Sequence, residues 1–224
     1  MGKGLWGDLA KRAGIGFWLA AAIALAGCVS QETKRDAIND INRAFKEEYE
    51  AILARNGAHF ANADMGTTFD ATAAALVSLG MEIRQQSRGL GFINADAAAP
   101  LPLTRPEWDR AGNADLPRAR ELLRRHIGVL AEFFNFEPDG LDTVITATII
   151  ETRGGSEVSL TMRLREVAPP KSGLPRREYP PPSALQNGLE KIWSALEREL
   201  RAKAPRSDGG GRPLAVTVAR SGSR

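Results

Sequence analysis

Residues 143–165 constrain the fold more than any other stretch of this chain. Thr143-Val144-Ile145-Thr146-Ala147-Thr148-Ile149-Ile150 is rich in β-branched residues and reads as a strand. Arg153-Gly154-Gly155-Ser156 supplies a turn. Val158, Leu160, Met162 and Leu164 then alternate with Ser159, Thr161, Arg163 and Arg165. A period of two sends one set of side chains to a core and the other to water, so this hairpin belongs to an antiparallel sheet with one wet side.

Other segments supply its neighbours. Residues 32–55 predict a helix, because Ile38, Ile41, Phe45, Tyr49 and Ile52 recur at three- and four-residue steps. Ala58-His59-Phe60-Ala61 reads as a short strand. Thr67 and Asp70 have the spacing of a capping box and open a helix over 67–79, with Gly80 as its stop. Met81–Arg84 and Leu90–Ala95 read as two strands around a Ser87-Arg88-Gly89 turn. Pro100, Pro102 and Pro106 predict an irregular stretch over 97–113, followed by a helix over 116–131 with Pro117 in its first turn. A proline-rich connection, Ala168-Pro169-Pro170 to Tyr179-Pro180-Pro181-Pro182, leads to a closing helix over 183–203. Leu185, Leu189, Ile192, Trp193, Leu196 and Leu200 form its apolar stripe. This order predicts an α+β fold: an antiparallel sheet packed by helices, preceded by a long amphipathic N-terminal helix.

The chain has one cysteine, and it ends an apolar leader. Lys3, Lys11 and Arg12 precede an apolar run from Ile15 to Leu25, which meets Ala26-Gly27-Cys28. This is the layout of a secretory signal. The run is short for a membrane span, which needs about 20 residues. Leu25-Ala26-Gly27-Cys28 resembles the lipobox of bacterial lipoproteins. The resemblance implies cleavage between Gly27 and Cys28, with diacylglycerol and acyl chains, such as palmitate, on Cys28. Two or more chains hold a protein stably on a membrane. Val29 follows the cysteine where an Asp would favour inner-membrane retention, so the outer membrane facing the periplasm is expected in a two-membrane cell. With Cys28 acylated, disulfides and cysteine chemistry drop out of the mature chain.

Charge is read on what remains. The chain carries a net +3, of which the leader supplies about +2 and the residues from Arg201 onward about +5. Residues 28–200 are therefore mildly acidic, at about −4, and the basic ends are poor support for nucleic-acid binding. The expected organisation is a signal peptide at 1–27, a lipidated N-terminus and helix at 28–57, an α+β domain at 58–203 with an insert at 97–140, and a basic tail at 204–224. Leu214–Val218 in that tail could add a strand to a sheet edge.

Chemistry-bearing patterns are sparse. His59 and His126 are the two histidines, in different elements, with no cluster of carboxylates to complete a zinc site. No Gly-x-Ser-x-Gly elbow is present. Gly89-Leu90-Gly91 and Gly209-Gly210-Gly211 lack the lysine and helix of a phosphate loop. Arg118, Arg120, Arg124 and Arg125 crowd one helix, either as a solvated face or as a headgroup-binding set. No catalytic residue, metal site or cofactor beyond the acyl chains is expected.

Two further surfaces are candidates. Phe92, Phe133, Phe134, Phe136 and Met162 could line a groove for an apolar ligand between sheet and insert. Ile38, Ile41, Phe45 and Ile52 either pack on the domain or form a face for a partner helix. Phe69-Asp70-Ala71 opening a helix, Leu79-Gly80 closing it, Gly91-Phe92-Ile93 and the Trp193 helix together resemble the BamC-like helix-grip envelope lipoproteins. That resemblance implies a non-enzymatic protein that binds other envelope proteins during outer-membrane assembly. The alternative expectation is a periplasmic carrier or sensor of an apolar ligand.

Overall fold

A computed structural model describes residues 30–168 and 178–204. The lipobox, the proline-rich residues 169–177 and the tail from 205, including Leu214–Val218, lie outside the described residues. The elements in chain order are α1 (Gln31–Asn56), β1 (Ala58–Ala61), α2 (Met65–Ser78), β2 (Glu82–Ser87), β3 (Phe92–Ala98), α3 (Arg105–Ile127), a 3-10 helix (Gly128–Phe133), β4 (Leu141–Thr152), β5 (Gly155–Glu166) and α4 (Pro182–Lys203). The fold is α+β: a five-stranded antiparallel sheet in the order β1-β5-β4-β3-β2, with helices packed against it.

The 143–165 alternation extends into two twelve-residue strands, β4 and β5, paired from Leu141↔Glu166 to Thr152↔Gly155. The inner row contains Ile145, Ala147, Ile149, Val158, Leu160 and Met162, all buried. It meets Leu185, Leu189, Ile192 and Trp193 of α4, and Phe69, Ala75 and Leu76 of α2. Tyr49 and Ile52 close this core from the C-terminal half of α1.

Helices α2 and α3 both start earlier than the sequence expectation, and both early starts come from capping. Helix α2 begins at Met65, because Asp64 accepts the Thr67 amide at 2.9 Å and the Thr67 hydroxyl at 2.6 Å. Thr67 is therefore capped and does not itself cap, while Asp70 pairs with Arg88. Helix α3 begins at Arg105, inside the stretch expected to be irregular, and ends at Ile127, earlier than 131. Thr104 and Glu107 form a full capping box there. Pro106 falls in the first turn, where a missing amide costs nothing. Pro117 lies within the helix, where the chain gives up one backbone bond.

Helix α4 lacks a side-chain cap from its own flank. Asp115 of α3 supplies one across space, accepting the Ser183 amide at 2.8 Å and the Ser183 hydroxyl at 2.9 Å. Burial raises the Asp115 pKa, while the two Ser183 hydrogen bonds oppose that rise. The carboxylate sits where the free amides and positive end of α4 favour an acceptor.

Helices α1 and α3 run antiparallel, as the pairs Glu48–Arg118 and Asp40–His126 require. Ala37, Ile38, Ile41 and Phe45 meet Ala119, Leu123, Ala131, Phe134 and Phe136 in a second core. A third, smaller core gathers Leu103, Trp108, Ala111, Leu141, Leu164 and Ala184. The 97–140 segment is thus structured mainly by α1 and by the end of the sheet.

Candidate functional site

Of the two alternatives for the α1 stripe the structure takes the packed one, and it disperses the residues of the expected groove. Ile38, Ile41, Phe45 and Ile52 are all at most 5% exposed. They are spent on α3, the 3-10 helix and the sheet core, so they offer no face to a partner helix. The five groove residues do not converge. Met162 lies in the sheet core. Phe134 and Phe136 pack edge to face at 5.0 Å in the α1–α3 core. Phe133 is exposed on the 3-10 helix, and Phe92 lies on the opposite side of the sheet from Met162. At the sheet–α4 contact, a Cβ added to Gly188 would lie 2.7 Å from the Met162 sulfur. That contact leaves no gap for a ligand at Met162.

Among the described residues nothing covers the outer face of the sheet, and strand register arranges it in rows. Phe60 pairs with Glu157, and Glu157 with Ile150, so the three lie side by side near the β4–β5 turn. Phe60 is 45% exposed and Ile150 54%. The next row is Ala58, Ser159, Thr148 and Phe92, followed by Thr161, Thr146 and Asn94. Asn94 donates to the Thr146 hydroxyl at 3.2 Å. Beyond them come Arg163, Val144 and Asp96, then Arg165 and Asp142. The face grades from apolar through hydroxyl to charged over the length of the strands.

Asp96 organises the charged end. It is almost fully buried, and Arg84 Nε and Arg165 Nη2 each approach one of its oxygens at 2.6 Å. Arg165 also donates to Asp142 at 2.8 Å. Burial opposes the charge on Asp96, but the hydrogen bonds from Arg84 and Arg165 outweigh it and hold the carboxyl below its usual range. A β-bulge between Ile83 and Gln85 lies beside this group. Arg163 reaches round the sheet edge, 5.7 Å from the Tyr49 ring centre and 5.8 Å from that of Tyr179. These contacts leave the guanidiniums fixed at a surface, with Arg84 paired to Glu82 and Asp96 and Arg165 to Asp96 and Asp142.

The histidines do not form a reaction centre. His126 shares a 2.8 Å hydrogen bond with Asp40 between α1 and α3. His59 stacks on Trp193 at 4.1 Å. Partial burial lowers the His59 pKa, against the opposing charge of Glu197. Among the described residues no three His, Cys, Asp or Glu side chains are grouped to hold a metal. No helix among them is long and apolar enough to cross a membrane. Of the arginines crowding α3, Arg118 pairs with Glu48, Arg120 with Glu132, and Arg124 with Glu121 and Glu132.

An open cleft of about 440 Å³ lies between α3 and α4, lined by Leu103, Glu107, Arg110, Glu190, Lys191 and Arg198 among others. Its central charges are committed to each other. Glu107 accepts from Lys191 Nζ at 2.7 Å and from the Thr104 amide at 2.6 Å. Lys191 first, and then Thr104, hold the Glu107 carboxyl down at about 2, against an ordinary 4.5. A carboxyl with a depressed folded-state pKa contributes stability above its unfolded pKa and loses it as pH falls toward the folded one. The wild type should therefore lose stability between pH of about 4.5 and about 2. Glu107→Gln should have a shallower dependence across that window in chemical denaturation. Parallel curves would refute the coupling.

No family model, no curated protein and no solved structure matches the chain. What the fold and surface define is a class: an α+β domain whose antiparallel sheet carries helices on one face and a graded, open surface on the other.

Proposed function

We propose that this is a non-catalytic, lipid-anchored envelope protein that acts by binding another protein through the open face of its sheet. One observation carries the reading: a five-stranded sheet that the described residues leave uncovered on one side, with Phe60 and Ile150 exposed across Glu157 in one row. Apolar side chains clustered on a polar face mark interaction sites more often than scattered ones do. The buried Asp96 with its two arginines gives the same face a fixed charged end, which favours selectivity over adhesion. The lipobox resemblance supports anchoring through Cys28, with the outer membrane facing the periplasm as the location. Assembly of the envelope is the role to which the helix-grip likeness points. The carrier reading loses support from the dispersal of its five residues and from the Gly188–Met162 contact.

The test is site-specific photocrosslinking in native membranes with a photoreactive residue at Ile150, in parallel with palmitate labelling. A protein adduct at Ile150, absent from the same substitution at Val77 on α2, supports the docking face. Palmitate should mark the wild type and not Cys28→Ala. Equal labelling of both would remove the anchor, and an Ile150 pattern identical to that at Val77 would remove the docking face.

A further inference from the structure

We propose that the 3-10 helix after α3 is a membrane foot: Val129 and Phe133 enter the interfacial layer of the leaflet that holds the Cys28 lipid. The inference rests on the lipid-anchor reading and adds a second contact to it. Val129 is 76% exposed and Phe133 78%, in a segment of six residues. The comparably exposed Leu90 stands alone in the β2–β3 turn. Two large apolar side chains held out from a short rigid turn, while Ala131 between them is fully buried, lose little entropy on insertion.

Position selects the occupant. Helix α1 starts at Gln31, and Ser30 caps it by accepting the Thr33 amide at 3.0 Å. One residue, Val29, separates Ser30 from Cys28, so the lipid attachment point is within about 7 Å of Ser30. An acylated Cys28 therefore holds the first turn of α1 at the headgroups. The pairing of Asp40 with His126, and the packing of Ala131 with Ala37, Ile38 and Ile41, set the turn after α3 beside the N-terminal half of α1, with Asp40 about 14 Å along the helix from its first residue. Contact of Val129 and Phe133 with the leaflet requires the α1–α3 pair to lean over the surface.

Charge agrees with a lipid surface without dominating it. Arg125 and Arg35 are exposed and have no ion pair among the described residues, and Lys34 precedes Arg35 in α1. Glu32 and Asp36 lie on the same turn of α1, and Arg124 is shared by Glu121 and Glu132. The apolar pair thus supplies the insertion, and the free arginines supply headgroup contacts.

The test uses the full chain, purified from bacterial membranes and reconstituted into phosphatidylethanolamine–phosphatidylglycerol vesicles. An environment-sensitive dye is placed at Val129→Cys, and in parallel at Leu90→Cys. The dye at 129 should be quenched at least twofold more by nitroxide-labelled lipid than the dye at 90, and Phe133→Asp should abolish the difference. Equal quenching at 129 and 90 in palmitate-bearing protein overturns the foot and leaves the anchor intact. Shielding from aqueous iodide without quenching by lipid means that a second copy covers the turn, which also overturns it. Dye uptake by the wild type exposes a free Cys28 thiol and sinks the anchor. The foot then stands if 129 is still quenched selectively, and falls with the anchor if it is not.

Discussion

Replacing Trp108 by alanine should remove about 3–5 kcal/mol of stability, the largest loss from any single side chain here. Trp108 is fully buried, and its indole N–H donates to the Phe136 carbonyl at 2.6 Å. It joins α3 to Leu141 and Leu164 at the end of the sheet. Truncation leaves a cavity in that junction and strips a buried carbonyl of its donor, which itself costs about 1–3 kcal/mol. Against a total of about 5–15 kcal/mol for a domain, that is a large share. Urea denaturation followed by circular dichroism measures it. Trp108→Phe separates the two contributions, because it keeps most of the packing and loses only the hydrogen bond. Its cost should fall near the carbonyl figure alone. A Trp108→Ala loss below about 1 kcal/mol, within the range of many tolerated substitutions, would show that the junction is not rigid.

A comparable loss is expected from the smallest change available, Gly91→Ala. Gly91 has φ +60°, and a Cβ there would lie 2.0 Å from the Ile149 carbonyl oxygen. The obstacle is backbone and cannot swing away. Its own carbonyl accepts the Ile149 amide at 2.7 Å, so relief requires β3 and β4 to part where they join. We expect about 4 kcal/mol or more, in the range reserved for backbone conflicts and core damage. Gly89, two residues earlier in the same turn, is the internal control. Nothing lies within 4 Å of a Cβ added there, and Gly89→Ala should change stability by no more than about 0.5 kcal/mol. Equal melting of the two variants would refute the close approach.

The sheet was readable from sequence because β4 and β5 bury one face and wet the other, which writes itself as alternation. The first half of α3 was hidden by Pro100, Pro102 and Pro106. Prolines suggest irregular chain, yet Pro106 sits in a first turn and the deciding signal was the Thr104–Glu107 capping box. The stripe on α1 announced burial but could not say against what. Its cover is a set of residues from Ala119 to Phe136, more than 60 positions from Phe45 at the nearest, and periodicity carries no such address. The outer face of the sheet was half readable. Ile150 breaks the polar side of β4 visibly, but its alignment with Phe60 exists only through the register of both with Glu157.

The cap that Asp115 provides to α4 has a consequence beyond local geometry. A helix start is normally written beside the helix, and fraying there concerns that helix alone. Here the acceptor lies 68 residues upstream on a different helix, reaching Ser183 at 2.8 Å. The first turn of α4 therefore reports whether α3 is seated, and α3 in turn is covered by α1. Disturbance of the α1–α3 pair where the chain emerges from residue 30 is thereby tied to the helix that closes the sheet. The α1–α3 pair and the sheet with α4 share a latch and rise or fall in stability together.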